Sequence, residues 1–107
     1  PRSFYLMARA GLPVVFDVTH STQQPPSKAG DVQTAAARNL APVLARSACA
    51  SGYLSGLFLE VHPEPKKALS DREAQLSIPQ ATDLLKQLIP MWHKSLQWAR
   101  LDDSFLV

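Results

Sequence analysis

Two short apolar runs organise the chain. Val14–His20 (VVFDVTH) leads into Ser21-Thr22-Gln23-Gln24, and Gly56–Pro63 (GLFLEVHP) closes on Glu60 and His62. Each run is too short for an amphipathic helix and too uniformly apolar for a strand with one wet face. That is the pattern of parallel strands buried on both sides. About forty residues separate the two, room for a loop, a helix and a return, which makes one βα unit. In α/β proteins of this kind the chemistry gathers at the C-terminal ends of the strands. His20, Glu60 and His62 stand at those ends.

The rest of the pattern predicts helices. Pro1–Gly11 reads as the tail of one, with Phe4, Leu6, Met7 and Ala10 as its apolar stripe and Gly11 as its stop. Thr34 caps a second that runs to about Ser51, with Leu40, Val43, Leu44 and Ala48 facing inward and Gly52 ending it. Pro42 should kink that helix or mark its true start. Ser77-Ile78-Pro79-Gln80 has the form of a capping box and opens the last helix, with Leu84, Leu85, Leu88 and Ile89 on one face. Pro90 should interrupt it, leaving Met91–Leu101 as a further piece that carries Trp92 and Trp98 for packing or a subunit contact. The segments from Ser21 to about Gln33 and from His62 to Ser77 are long for βα and αβ connections. Lys66-Lys67 in the second reads as a solvated pair.

Composition narrows the class. The 107 residues fit one ordinary domain, and 46% of them are hydrophobic, enough for a core. A net charge of +2, without basic residues interleaved with aromatics, speaks against nucleic acid as a partner. No apolar run approaches a membrane span, and no signal peptide opens the chain. The lone Cys49 cannot form an internal disulfide; it reads as a small buried helix residue and fits a reducing, cytoplasmic setting. A closed barrel of eight βα units takes roughly 250 residues, and this chain holds about two such units. Two parallel strands cannot cover their own faces and edges. The chain is therefore expected to be the C-terminal part of something larger, or to complete itself with other chains.

Strict alternation puts Phe16, Val18 and His20 on one face of the first strand, and Val15, Asp17 and Thr19 on the other. Phe58, Glu60 and His62 share a face of the second. His20 and Glu60 can then end on the same face of neighbouring strands, with Asp71 swinging over from the loop. One imidazole and two carboxylates make a divalent-metal site by donor chemistry; the plainer reading is that of satisfied polar residues at strand ends. Asp17, mid-strand, needs a partner if buried, and spacing assigns it none. No glycine-rich phosphate loop and no GxSxG elbow occurs. Cys49 lies away from both strand ends, against a Cys–His nucleophile.

The stretches FDVTHSTQQP (Phe16–Pro25), PVLARSA (Pro42–Ala48) and GLFLEVHPEPKKALSD (Gly56–Asp71) together resemble the 3-deoxy-D-manno-octulosonate 8-phosphate synthase family. The likeness covers nearly all of Arg2 to about Leu88, and the DxTHSxQ and ExHPxPxxALSD patterns in that order are specific. The resemblance implies an α/β fold: the C-terminal βα units, about two, of a (β/α)8 TIM barrel that is incomplete in this chain, and so the C-terminal fragment of a single synthase domain. It implies condensation of phosphoenolpyruvate with arabinose 5-phosphate and water, releasing phosphate, in the route to lipopolysaccharide. His20, Glu60 and Asp71 match three metal ligands and catalytic positions, for Zn, Fe or Mn, although metal-independent members keep the same three. The fourth ligand, a Cys from the first barrel strand, has no counterpart, and Cys49 does not match it. Gln23, Arg38 and His62 match substrate-side positions, and a homotetramer is implied for the full-length form. Where the family has a glycine-rich SGGxR-like stretch, this chain has DVQTAAARN, with Arg38 as the one candidate match. The glycine that often follows the ligand Asp is Arg72. Two rivals stand beside this reading: the seven-carbon synthase of aromatic biosynthesis, and a non-catalytic remnant that acts only in assembly.

Overall fold

The computed structural model describes residues 2–22, 33–70, 72 and 74–102, with 33–38 and 100–102 as backbone. Helix α1 (Arg2–Arg9) leads to strand β1 (Val15–Asp17), a single helical turn α2 (Val18–Ser21), helix α3 (Gln33–Ala50), strand β2 (Gly56–Phe58), a 3-10 turn at Pro65–Lys67 and helix α4 (Ile78–Asp102). The two strands pair in parallel, Val15 with Gly56, Phe16 with Leu57 and Asp17 with Phe58. The fold is thus mixed α/β around a two-stranded parallel sheet, and a further parallel bridge joins Val61 to Leu76.

The helices cover one face of this sheet. Phe16, Leu57 and Leu59 pack on a core that contains Val14, Val18, Ala41, Ala45, Leu54, Leu84 and Leu88. Phe4 of α1 meets Phe16 edge-on at 5.6 Å between ring centroids, and Tyr5 meets Tyr53 at 5.4 Å. The opposite face stays open among the described residues: Val15 is 62% exposed and Phe58 46%. Burial of both strands on both sides, expected from their uniform apolar character, is not realised.

Several expectations are corrected. The first strand stops at Asp17, three residues short of His20, because the Asp17 carboxylate caps a helical turn by accepting the His20 N–H at 2.9 Å. The second strand likewise covers only Gly56–Phe58. On α1 the half-buried stripe is Phe4, Tyr5 and Ala8, while Leu6 and Met7 face outward. On α3 the buried positions are Ala41, Ala45, Ala48 and Cys49, and Val43 is exposed. Small side chains let α3 lie close against α2 and α4, so size overrides hydrophobicity in choosing the inner face. Ile89 of α4 is exposed while Leu84 and Leu88 are buried. Neither Pro42 nor Pro90 divides its helix. Each removes one backbone donor, and the packing of residues on either side outweighs that loss.

Other expectations hold. Gly11 and Gly52 take positive φ, +81° and +82°, just past α1 and α3. The capping box forms in both directions: Ser77 N–H donates to Gln80 Oε1 at 2.9 Å, and Gln80 N–H to Ser77 Oγ at 3.2 Å. Of the two tryptophans only Trp92 packs on the core, its Nε1–H donating to the Leu54 carbonyl at 2.9 Å, while Trp98 is 55% exposed. Cys49 is buried on α3, and burial pushes its thiol up from the ordinary range. Among the described residues no helix is long and apolar enough to cross a membrane.

Candidate functional site

The site begins with a break in alternation. A strand continued through His20 would place that residue on the face of Phe16. The turn at α2 instead folds it back over the open face, where its ring stacks on Phe58 at 6.5 Å between centroids and 29° between planes. Phe58 is the register partner of Asp17. Asp17 uses both carboxylate oxygens: Oδ1 accepts the His20 backbone N–H at 2.9 Å, and Oδ2 lies 2.8 Å from His20 Nδ1. The partner that spacing could not assign to Asp17 is therefore His20, three residues on and near the surface. Burial acts to raise the Asp17 carboxyl, but the hydrogen bonds from His20 and its charge outweigh this and hold it below the usual carboxylate value.

Glu60 arrives from the other strand. It follows β2 by two residues, and its Oε1 stands 3.7 Å from His20 Nε2. Its backbone N–H donates to Thr19 Oγ1 at 2.8 Å, tying the end of β2 to the turn that carries His20. Thr19 is buried, and Thr22 Oγ1 in turn donates to the Thr19 carbonyl at 2.7 Å. From the far side Gln75 Nε2 donates to Glu60 Oε2 at 3.4 Å and to the Ser70 carbonyl at 2.9 Å. Leu76 N–H donates to the Glu60 carbonyl at 3.1 Å, closing the loop that leads to α4. The side chains of His20 and Asp17 are 43% and 42% exposed and that of Glu60 26%. At that exposure ion pairing adds little stability, and the cluster is open to a ligand.

The remaining predicted residues are spread more widely. His62 follows the Val61–Leu76 bridge, and its Nδ1 accepts the Glu64 N–H at 2.9 Å. A neutral His62 therefore carries its proton on Nε2. Arg38 lies in α3 where only backbone is described, and Gln23 and Asp71 lie outside the described residues. Lys67 pairs with Glu64 at 2.7 Å in solvent, as a surface lysine does. Among the described residues no three His, Cys, Asp or Glu side chains converge on one point. His20 and Glu60 still suit one ion by donor type, and two bonds of ~2.0–2.2 Å can bridge atoms this far apart.

Sequence reasoning missed Thr19, Gln75 and the local role of Asp17. Asp-Val-Thr-His does carry a helix-cap signal, an Asp ahead of a short turn, which the apolar run around it obscures. Gln75 has no local signal, since its role comes from a loop that returns beside Glu60.

The DAHP synthetase I family model matches residues 2–95 of the chain. The 2-dehydro-3-deoxyphosphooctonate aldolase of Thioalkalivibrio sulfidiphilus is 47% identical over 87 residues, which are 81% of this chain and 30% of that protein. The protein of the same name from Variovorax paradoxus is 39% identical over 104 residues, 97% of this chain and 35% of its own. That of Nitrosococcus oceani reaches 51% over 70 residues, 65% of this chain and 24% of its own. The chain thus spans about a third of the length of the curated relatives it matches. With a match that spans both strands, the turn that carries His20 and the loop that carries Glu60, this chain belongs to the DAHP synthetase I family.

Proposed function

We propose that the chain supplies about two βα units, the C-terminal portion of a single (β/α)8 barrel domain, to a synthase that joins phosphoenolpyruvate to arabinose 5-phosphate. Water is consumed, a carbon–carbon bond forms, phosphate leaves, and the product is 3-deoxy-D-manno-octulosonate 8-phosphate. The observation that carries this reading is the meeting of His20 and Glu60 just beyond the C-terminal ends of adjacent parallel strands. The exposed Val15 and Phe58 support the barrel, because further strands closing the sheet would cover that face. The eight-carbon product is favoured over the seven-carbon one by the relatives named 2-dehydro-3-deoxyphosphooctonate aldolase, at 47%, 45% and 42% identity.

In this reading His20, Glu60 and Asp71 hold a divalent metal, Zn, Fe or Mn. Bound there, the metal supplies Lewis-acid polarisation of the acceptor aldehyde or of the attacking water. Asp17 fixes the direction of the His20 ring, and Gln75 and Thr19 fix Glu60. In a metal-independent form the same side chains orient water and aldehyde by hydrogen bonds. His62 offers an Nε2–H donor to a substrate oxygen, and Gln23 and Arg38 serve the substrate side. Effective concentration contributes much of the rate in such a two-substrate reaction, so two βα units alone should not turn over.

A phosphate-release assay tests this. The 107-residue chain alone should release no phosphate from the two substrates. Assembled with polypeptide that carries the remaining barrel units, it should release phosphate with arabinose 5-phosphate and not with erythrose 4-phosphate. Preference for erythrose 4-phosphate would make it a seven-carbon synthase. Silence with both acceptors would sink the enzyme reading in favour of a role in assembly alone. Size-exclusion chromatography of the assembled form reports whether it is a homotetramer.

A further inference from the structure

Asp17 does two things at once, and the second is not needed for the fold. Its Oδ1 caps the α2 turn through the His20 N–H, and any short oxygen-bearing side chain could do that. Its Oδ2 reaches past the backbone to the imidazole, 2.8 Å from Nδ1. An ionised carboxylate can only accept, so the Nδ1 it touches must carry the hydrogen. In a neutral ring that leaves Nε2 as a lone-pair donor, and Nε2 is the atom that faces Glu60 Oε1 at 3.7 Å. On the open face the Phe58 ring lies beside the imidazole, 6.5 Å away between centroids and tilted by 29°. Glu60 is held from its own side by Thr19 and Gln75.

We propose that Asp17 is a positioning residue that selects the Nδ1–H tautomer of His20, turning the Nε2 lone pair and a Glu60 oxygen toward a shared electropositive ligand such as a divalent cation. A carboxylate behind a histidine fixes which nitrogen is presented to a ligand and makes that nitrogen more basic. The molecule carries its own contrast: at His62 a backbone N–H occupies Nδ1, which sets the opposite tautomer. The two imidazoles are thereby given different tasks, His20 as an electron-pair donor and His62 as a hydrogen-bond donor. The functional meaning of this inference rests on the synthase reading, but its test does not.

The test is two-bond ¹H–¹⁵N NMR of the 107-residue chain, without added metal, at a pH well above the ordinary imidazole range. His20 should show a protonated Nδ1 and a pyridine-like Nε2, with His62 the reverse. Asp17→Ser keeps an oxygen for the cap but is too short to reach the ring. It should shift His20 from mostly Nδ1–H to mostly Nε2–H, the form favoured by histidine in water, and leave His62 unchanged. A wild-type His20 protonated on Nε2, or on both nitrogens at that pH, overturns the proposal. So does an Asp17→Ser spectrum in which the His20 tautomer does not move. Loss of the synthase reading would instead show in the phosphate-release assay and would leave these spectra as they are.

Discussion

The buried Thr19 hydroxyl accepts the Glu60 backbone N–H at 2.8 Å across 41 positions of sequence. This one bond joins the turn that carries His20 to the segment that carries Glu60. Thr19→Val keeps the shape and removes the acceptor, leaving a partly buried donor unsatisfied at a cost of about 1–3 kcal/mol. The denaturation midpoint should fall accordingly, and amide exchange at Glu60 should quicken. An unchanged midpoint with a protected Glu60 amide would show that the bond does not hold the two segments together.

Gly52 is required where α3 hands over to β2. It sits at φ +82°, and a Cβ there would lie 2.9 Å from the Ser95 carbonyl oxygen and 3.0 Å from Ala99 Cβ. Gly52→Ala therefore combines backbone strain with a clash against helix backbone, and should cost more than about 1 kcal/mol. A lowered thermal midpoint checks this. The same change at Gly11, which has a similar φ but open space around it, should cost less.

The start of α4 depends on a reciprocal pair of bonds between Ser77 and Gln80. Ser77→Ala should lose about 1 kcal/mol, visible as a lower urea midpoint with an unchanged slope. Ser77→Asp should recover most of it. Equal stability of all three would remove the cap from the account of this helix.

Cys49 is 1% exposed, and burial raises its thiol above the ordinary range. A raised folded-state value means the unfolded chain ionises first. Stability is then fully present below the ordinary thiol value, ~8.5, and declines as pH rises through it. Cys49→Ala should flatten that alkaline decline while lowering stability at neutral pH by opening a small cavity. The wild-type thiol should react with a soluble alkylating agent slowly when folded and quickly in urea. Fast labelling of the folded chain would contradict its burial.

Much of this was legible in the order of residues. The parallel pairing followed from two apolar runs set one βα unit apart. Helix ends followed from Gly11, Gly52 and the Ser77–Gln80 box, because caps and left-handed glycines act over three or four residues. On α3 the expected face holds at Ala48 and in part at the half-buried Leu40 and Leu44, and fails at the exposed Val43. The close approach of α2 and α4 rewards Ala41 and Ala45 as well as Ala48, because small side chains fit there.

The site divides in the same way. Local sequence set which residues stand near strand ends, His20 and Glu60 among them, because strand length and turn chemistry are short-range. Which face His20 takes was decided by the Asp17 cap, which ends the strand early and reverses the expected alternation. The grip of Thr19 and Gln75 on Glu60 could not be read from neighbours in the chain. Those bonds join residues 41 and 15 positions apart, and such pairs meet only once packing has brought their segments side by side.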